Sequence, residues 1–145
     1  MKTTNNEAIK LVADTALLFQ NKVLLVRYTD TNKYDHQKGW FIPDDLINFD
    51  EHPEDAAKRI AKDQLGITPG NLRLDHMESF IGGDKSWHLI FHYVSMLNSI
   101  PDISANENIA KAEWFDMNSL PDDQEIAHHG WARYILNEIN SKLKI

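Results

Sequence analysis

The side chains best able to do chemistry crowd into residues 43–67, PDDLINFDEHPEDAAKRIAKDQLGI. Asp44, Asp45 and Asp63 carry carboxylate oxygens of the kind that hard cations take as ligands, and Glu51 adds a further acid eight residues before Arg59. Arg59 is a planar fork that fits a carboxylate, and Glu107 adds another acid in Asn-Glu-Asn. Seven histidines raise the question of zinc. Geometry answers against it. His88 and His92 share one face of a strand but stand about 13 Å apart at ~3.3 Å per residue, too far for a single ion with bonds of ~2.1 Å. His128 and His129 point about 100° apart on a helix, and either His88 or His92 fits a substrate contact or a core position better. Trp40, Trp87, Phe91 and Tyr28 could stack a nucleobase, although Trp40 and Phe41 fit a core anchor at least as well.

Those acids need an element to hold them, and its limits are written in the same stretch. Pro43 closes the apolar run Trp40-Phe41-Ile42. Pro53 stands where a helix can begin, because a first-turn N–H has no helical partner to lose. Glu54 and Asp55 place negative charge on the positive end of the helix dipole. Ala57, Ile60, Ala61, Gln64 and Leu65 recur at spacings of three and four, one mostly apolar face, and Gly66 supplies a left-handed stop. The pattern predicts loop, helix and loop over residues 43–67.

Around this element the chain alternates strands and turns. Residues 11–19 and 23–26, separated by Gln20-Asn21-Lys22, read as a hairpin. Residues 28–39 form a polar loop long enough to be functional. Residues 72–80, 87–97 and 110–115 read as strands. A closing helix is expected over roughly residues 123–143, burying Trp131, Ile135, Ile139 and Leu143 at intervals of four, with Gly130 weakening its first turns. The order strand, strand, helix, three strands, helix predicts a mixed sheet with helices on its faces.

The acidic stretch resembles the signature of the Nudix superfamily, G-x5-E-x7-R-E-U-x-E-E-x-G-U with U a bulky aliphatic residue. Laid on this chain the pattern runs Asp45, Glu51, then Arg59-Ile60-Ala61-Lys62-Asp63-Gln64-Leu65-Gly66-Ile67, and Glu51, Arg59, Gly66 and Ile67 match. Lys22 to Arg27, the lead-in Gly39-Trp40-Phe41-Ile42-Pro43, and Ala112-Glu113-Trp114-Phe115 with Leu120-Pro121 also look like family segments. Coverage is roughly residues 11–140.

The resemblance implies a Nudix-type α/β/α sandwich and a divalent ion, magnesium or manganese, held by three helix carboxylates. Those three positions are occupied here by Ile60, Asp63 and Gln64, so a single acid remains. Glu51 and Arg59 match the family's structural ion pair. Asp44 and Asp45 stand in place of two glycines, and Lys111 stands near a position where relatives often carry glutamate. The site residues implied are Asp63 and Glu107 as catalytic groups, with Asp63, Asp45 and Gln64 as the remaining metal set.

Length and composition bound the rest. Residues 1–145 are expected to form one domain, with enough length for a sizeable core. A net charge of −7 without a long basic run disfavours nucleic acid as a partner. The absence of cysteine excludes disulfides and thiolate chemistry and fits a cytoplasmic protein. No apolar secretory core begins the chain, and no stretch approaches the ~20 apolar residues of a membrane span. A nucleotide-like small molecule is the expected partner, and a homodimer is a family expectation.

Two functions are in contention. One is a Nudix-type hydrolase of a nucleoside diphosphate linked to another moiety, weak in activity. The other is a catalytically impaired module that binds a nucleotide or sugar nucleotide. Isopentenyl-diphosphate isomerase shares the fold, but its catalytic cysteine has no counterpart here.

Overall fold

The structure, a computed structural model, describes residues 8–34 and 36–143. Six strands form one mixed sheet: β1 (Ile9–Phe19), β2 (Lys22–Tyr28), β3 (Asp44–Leu46), β4 (Leu72–Ile81), β5 (Trp87–Met96) and β6 (Ile109–Asp116). The strand order is β4-β5-β1-β2-β6, with β3 paired to β1 off that path. Strand β1 is the axis. It runs parallel to β5 from Ile9↔Trp87 to Leu18↔Met96, antiparallel to β3, and turns into β2 through Leu18↔Val23.

Alternation along β1 assigns its two faces. Ala13, Thr15 and Leu17 look toward helix α1 (Pro53–Leu65): Ala13 packs with Ala56 and Ile60, the Thr15 hydroxyl donates to the Ala57 carbonyl at 2.9 Å, and Leu17 packs with Ala61 and Leu65. Ala16 and Leu18 look the other way, against Ile135, Leu136 and Ile139 of helix α2 (Ala127–Leu143). The result is a helix on each side of the sheet, as expected of an α/β/α sandwich.

Helix α1 starts and stops where its residues dictate. His52 Nδ1 accepts from the Glu54 N–H at 3.2 Å, Pro53 opens the first turn, and Gly66 ends it in the left-handed region at φ 68°. At the other end of the chain the outcome differs from the expectation. Asp123–Glu125 is a separate 3-10 turn, and His128, His129 and Gly130 have φ of 55°, 57° and 91°, so regular helical packing starts only at Trp131. Gly130 is held there by space as well as φ, because a Cβ would come within 2.5 Å of the Asp123 carboxylate. Ile135 and Ile139 are buried as expected, while Leu143 is exposed and Leu136 is buried instead. A spacing of four drifts about 40° per step on a helix of 3.6 residues per turn, which carries Leu143 off the buried stripe. Strand β3 forms within the stretch expected as the loop before α1, and β1 begins two residues before the expected Leu11. Among the described residues no helix is long and apolar enough to cross a membrane.

Candidate functional site

The corner where α1, β2 and β3 meet is the one the sequence singled out. Ile60 is 1% exposed and sealed among Ala13 and Ala56. Gln64 is 5% exposed, and both ends of its amide are engaged: Nε2 donates to the Asp44 carbonyl at 2.9 Å, and Oε1 accepts from the Tyr28 hydroxyl at 2.8 Å. The same hydroxyl accepts from the Asp44 N–H at 3.0 Å. Tyr28, Asp44 and Gln64 therefore close a ring of hydrogen bonds in which both backbone groups of Asp44 are used.

Next to that ring stands an ion pair. Arg59 Nε meets Glu51 Oε2 at 2.8 Å, its Nη2 meets Glu51 Oε1 at 3.0 Å, and the Leu46 carbonyl accepts a further bond at 2.9 Å. The hydrogen bonds from Arg59 hold the Glu51 carboxyl below its usual range, and the pair raises the guanidinium in turn. Asp45 is drawn into this group: its Oδ2 lies 3.7 Å from Arg59 Nη1 and its Oδ1 accepts from the Leu46 N–H. Asp63 and Glu107 are both exposed. The loop before β6 lies at the end of α1, where Asn106 Nδ2 donates to the Asp63 carbonyl at 2.8 Å and Asn106 N–H to the Gln64 carbonyl at 3.0 Å. Among the described residues, no three His, Asp or Glu side chains gather as a metal-holding group.

Beside Asp44 and Asp45, on the face of the sheet that carries α2, opens a cleft of about 1030 Å³. Phe41, Phe80, His88 and Trp131 are among its walls, and Lys10, Asp44, Asp45, Glu78 and Asp84 bring its charges. Four carboxylates face one ammonium, and Lys10 lies 2.7 Å from Asp84. Phe80 and His88 stack with centroids 5.0 Å apart. Trp87, one of the expected stacking aromatics, points elsewhere, because strand alternation puts His88, Ile90 and His92 on the cleft side and Trp87 and Phe91 on the other. Trp40 and Tyr28 are core residues at 5% and 6% exposure.

A charged chain lies behind one wall of the cleft. His92, fully buried, holds Asp14 Oδ2 at 2.8 Å through Nδ1 and Glu78 Oε1 at 2.7 Å through Nε2. Trp131 Nε1 donates to the same Glu78 oxygen at 3.1 Å. Burial alone would lower the His92 pKa, but the Asp14 and Glu78 carboxylates overcome it and push it up to about 9. The bond from His92 holds Glu78 below its usual range, whereas burial pushes the Asp14 carboxyl up. Asp14 Oδ1 is buried with no hydrogen-bond partner among the described residues.

The NUDIX domain family model matches residues 10–138. The chain belongs to the NUDIX family. Its fold is that of a MutT NUDIX hydrolase from Burkholderia pseudomallei, with a TM-score of 0.77 at 19% identity, covering 92% of this chain and 99% of that one. The NUDIX domain of Shewanella oneidensis NrtR, complexed with ADP ribose, aligns with a TM-score of 0.78 at 16% identity over 95% of this chain and 90% of that one. By sequence, the RNA pyrophosphohydrolase of Hydrogenovibrio crunogenus is 29% identical over 92 residues, 63% of this chain. The chain spans about half the length of that curated relative, at 50%.

A divalent ion of the kind Nudix proteins use does not fit this corner as its side chains stand. Such an ion needs converging oxygen atoms. The Asp44 carbonyl instead receives the Gln64 amide, an N–H donor that a cation would have to displace, and Ile60 contributes only hydrocarbon. The residues that sequence reasoning missed are Asp14, Glu78 and Trp131. The one available signal was an aspartate inside the apolar run Val12-Ala13-Asp14-Thr15-Ala16-Leu17, since acids are almost never fully buried unless paired.

Proposed function

We propose that this Nudix protein carries a degenerate Nudix box, that it holds a nucleoside-diphosphate-type ligand in the cleft, and that it hydrolyses such a ligand slowly at most. The observation that carries the reading is the ring of Tyr28, Asp44 and Gln64: the amide of Gln64 occupies the Asp44 carbonyl at 2.9 Å. Binding in the cleft is supported by its size and aromatic walls and by the ADP ribose held by the NrtR domain of the same fold. Residual turnover is assigned to the exposed carboxylates Asp63 and Glu107. Asp45 and the Gln64 carbonyl oxygen remain the other candidate donors, each already engaged within the protein.

The test is an assay with nucleoside triphosphates, ADP-ribose, dinucleoside polyphosphates and 5′-triphosphorylated RNA, with magnesium and with manganese, alongside calorimetric binding of the same compounds. The expected result is binding of at least one nucleotide with turnover well below ~1 s⁻¹, the low end of ordinary enzymatic rates. Turnover at or above ~1 s⁻¹ on any of them overturns the impaired-enzyme reading, and absence of binding overturns the ligand reading.

A further inference from the structure

We propose that Glu78 is the specificity-determining acceptor of the cleft, and that it selects a planar nitrogen heterocycle bearing an amino group. The inference rests on the reading of the cleft as a nucleotide site and names the part of the ligand that is recognised.

The Asp14–His92–Glu78 chain is costly to build. Burying charge is expensive, and a hydrophobic replacement of similar volume is often as stable or more so. A core purpose alone would be served by apolar residues, as it is by Ala16 and Val94 farther along the same strands. What the chain does achieve is to fix one carboxylate. His92 and Trp131 both donate to Oε1 of Glu78, from opposite elements of the fold, the sheet and α2. Among the described residues none donates to Oε2. The side chain is 24% exposed and lines the cleft. An ionised carboxylate accepts hydrogen bonds and donates none, so a ligand group meeting Oε2 must bring an N–H or O–H.

The surroundings choose between those donors. Phe80 stacked on His88 lies two residues along β4 on the same face, and Trp131, hydrogen-bonded to Glu78, also lines the cleft. Flat apolar walls beside a fixed acceptor suit the edge of an amino-bearing base. The other charges agree. With four carboxylates against one lysine, the cleft offers a phosphate little attraction, so affinity is expected to reside in the base end of the ligand. Glu78 is immobilised before the ligand arrives, which removes the ordering cost that a free glutamate would incur.

The experiment compares adenosine and guanosine with purine riboside, which lacks the amino group, and with 2′-deoxyadenosine, by calorimetry on the full chain and on Glu78→Gln. The unaltered protein is expected to bind at least one amino-bearing nucleoside roughly ten- to a hundredfold more tightly than purine riboside, the range for one hydrogen bond to a charged group. In Glu78→Gln that preference should collapse to within about threefold, because the amide can satisfy His92 with its oxygen while turning an NH₂ to the ligand. Purine riboside binding as well as both amino nucleosides overturns the proposal, and that arm needs no variant. A loss that follows the 2′-hydroxyl instead of the amino group overturns it in favour of ribose recognition. ADP-ribose binding undiminished in Glu78→Gln overturns it while leaving the cleft reading intact. If no nucleoside or nucleotide binds the unaltered protein, both readings fall.

Discussion

Gln64→Glu introduces an acid at the position aligned with a carboxylate of the Nudix signature, and the structure makes its consequences specific. In the protein as it stands, Gln64 Nε2 donates to the Asp44 carbonyl at 2.9 Å, and the residue is 5% exposed. A carboxylate there sets oxygen against oxygen with no proton between them. Leaving a buried acceptor unsatisfied costs ~1–3 kcal/mol, and the new charge in a mostly buried place adds to that. The Tyr28 hydroxyl still donates to residue 64 and recovers a part. The expected loss is therefore roughly 2–4 kcal/mol, which at about 3 °C per kcal/mol for a chain of this size lowers the melting midpoint by about 6–12 °C. The assay is thermal unfolding with a chelator and with increasing manganese. A cation bridging the new carboxylate and the Asp44 carbonyl binds only the folded state, so manganese at ten times its Kd returns about 1.4 kcal/mol, or ~4 °C. The parent should show no such dependence. A variant that melts within ~1 °C of the parent in chelator would refute the hydrogen-bond ring. Equal stabilisation of parent and variant by manganese would refute the claim that Gln64 keeps the ion out.

Arg59→Ala removes three hydrogen bonds, two to Glu51 and one to the Leu46 carbonyl. With partners 25% and 16% exposed, its cost should fall between those of exposed and buried pairs, about 2 kcal/mol, and an unchanged denaturant midpoint would mean the pair contributes nothing. His92 predicts a pH dependence whose sign follows from linkage. Its folded pKa of about 9 lies above the ordinary 6.5, so its contribution is complete below pH ~6.5 and disappears as pH rises through ~9. Each pH unit of displacement is worth ~1.36 kcal/mol, so at most about 3 kcal/mol is at stake, facing Asp14, Glu78 and His76. Chemical unfolding at intervals from pH 6 to 9.5 should show that decline in the parent and lose it in His92→Gln. A flat parent profile refutes the buried imidazolium.

Local sequence was sufficient where the cause is local. The limits of α1 follow from Pro53, from Glu54 and Asp55 in its first turn and from Gly66 at its end, all of which act within a few residues. The apolar face of Ala57, Ile60, Ala61 and Leu65 is buried as its spacing requires. Where a residue's position depended on a distant partner, periodicity misled. The interval of four in the last helix selected Leu143, and the left-handed residues His128 to Gly130 depend on the Asp123 turn that the chain folds back upon. Trp87 and Phe91 read as stacking residues until β5 took its register on β1, which turned that face away from the cleft.

By itself the sequence determined the family pattern and the helix that bears it, with Ile60, Asp63 and Gln64 along that helix, because those are matters of residue type and short spacing. Only the tertiary structure decided what the Gln64 side chain meets. Gln64 meets the Asp44 carbonyl because α1 docks against β3, and nothing in the identity of either residue specifies that meeting. In the same way Asp14 and His92, separated by 78 positions, become hydrogen-bonded neighbours through the parallel pairing of β1 with β5. Glu78 joins them from β4. Parallel strands meet only across long connections, so the pairing of β1 with β5 that brings Asp14 to His92 leaves no periodic trace in the sequence, while Glu78 is added across the antiparallel pairing of β4 with β5.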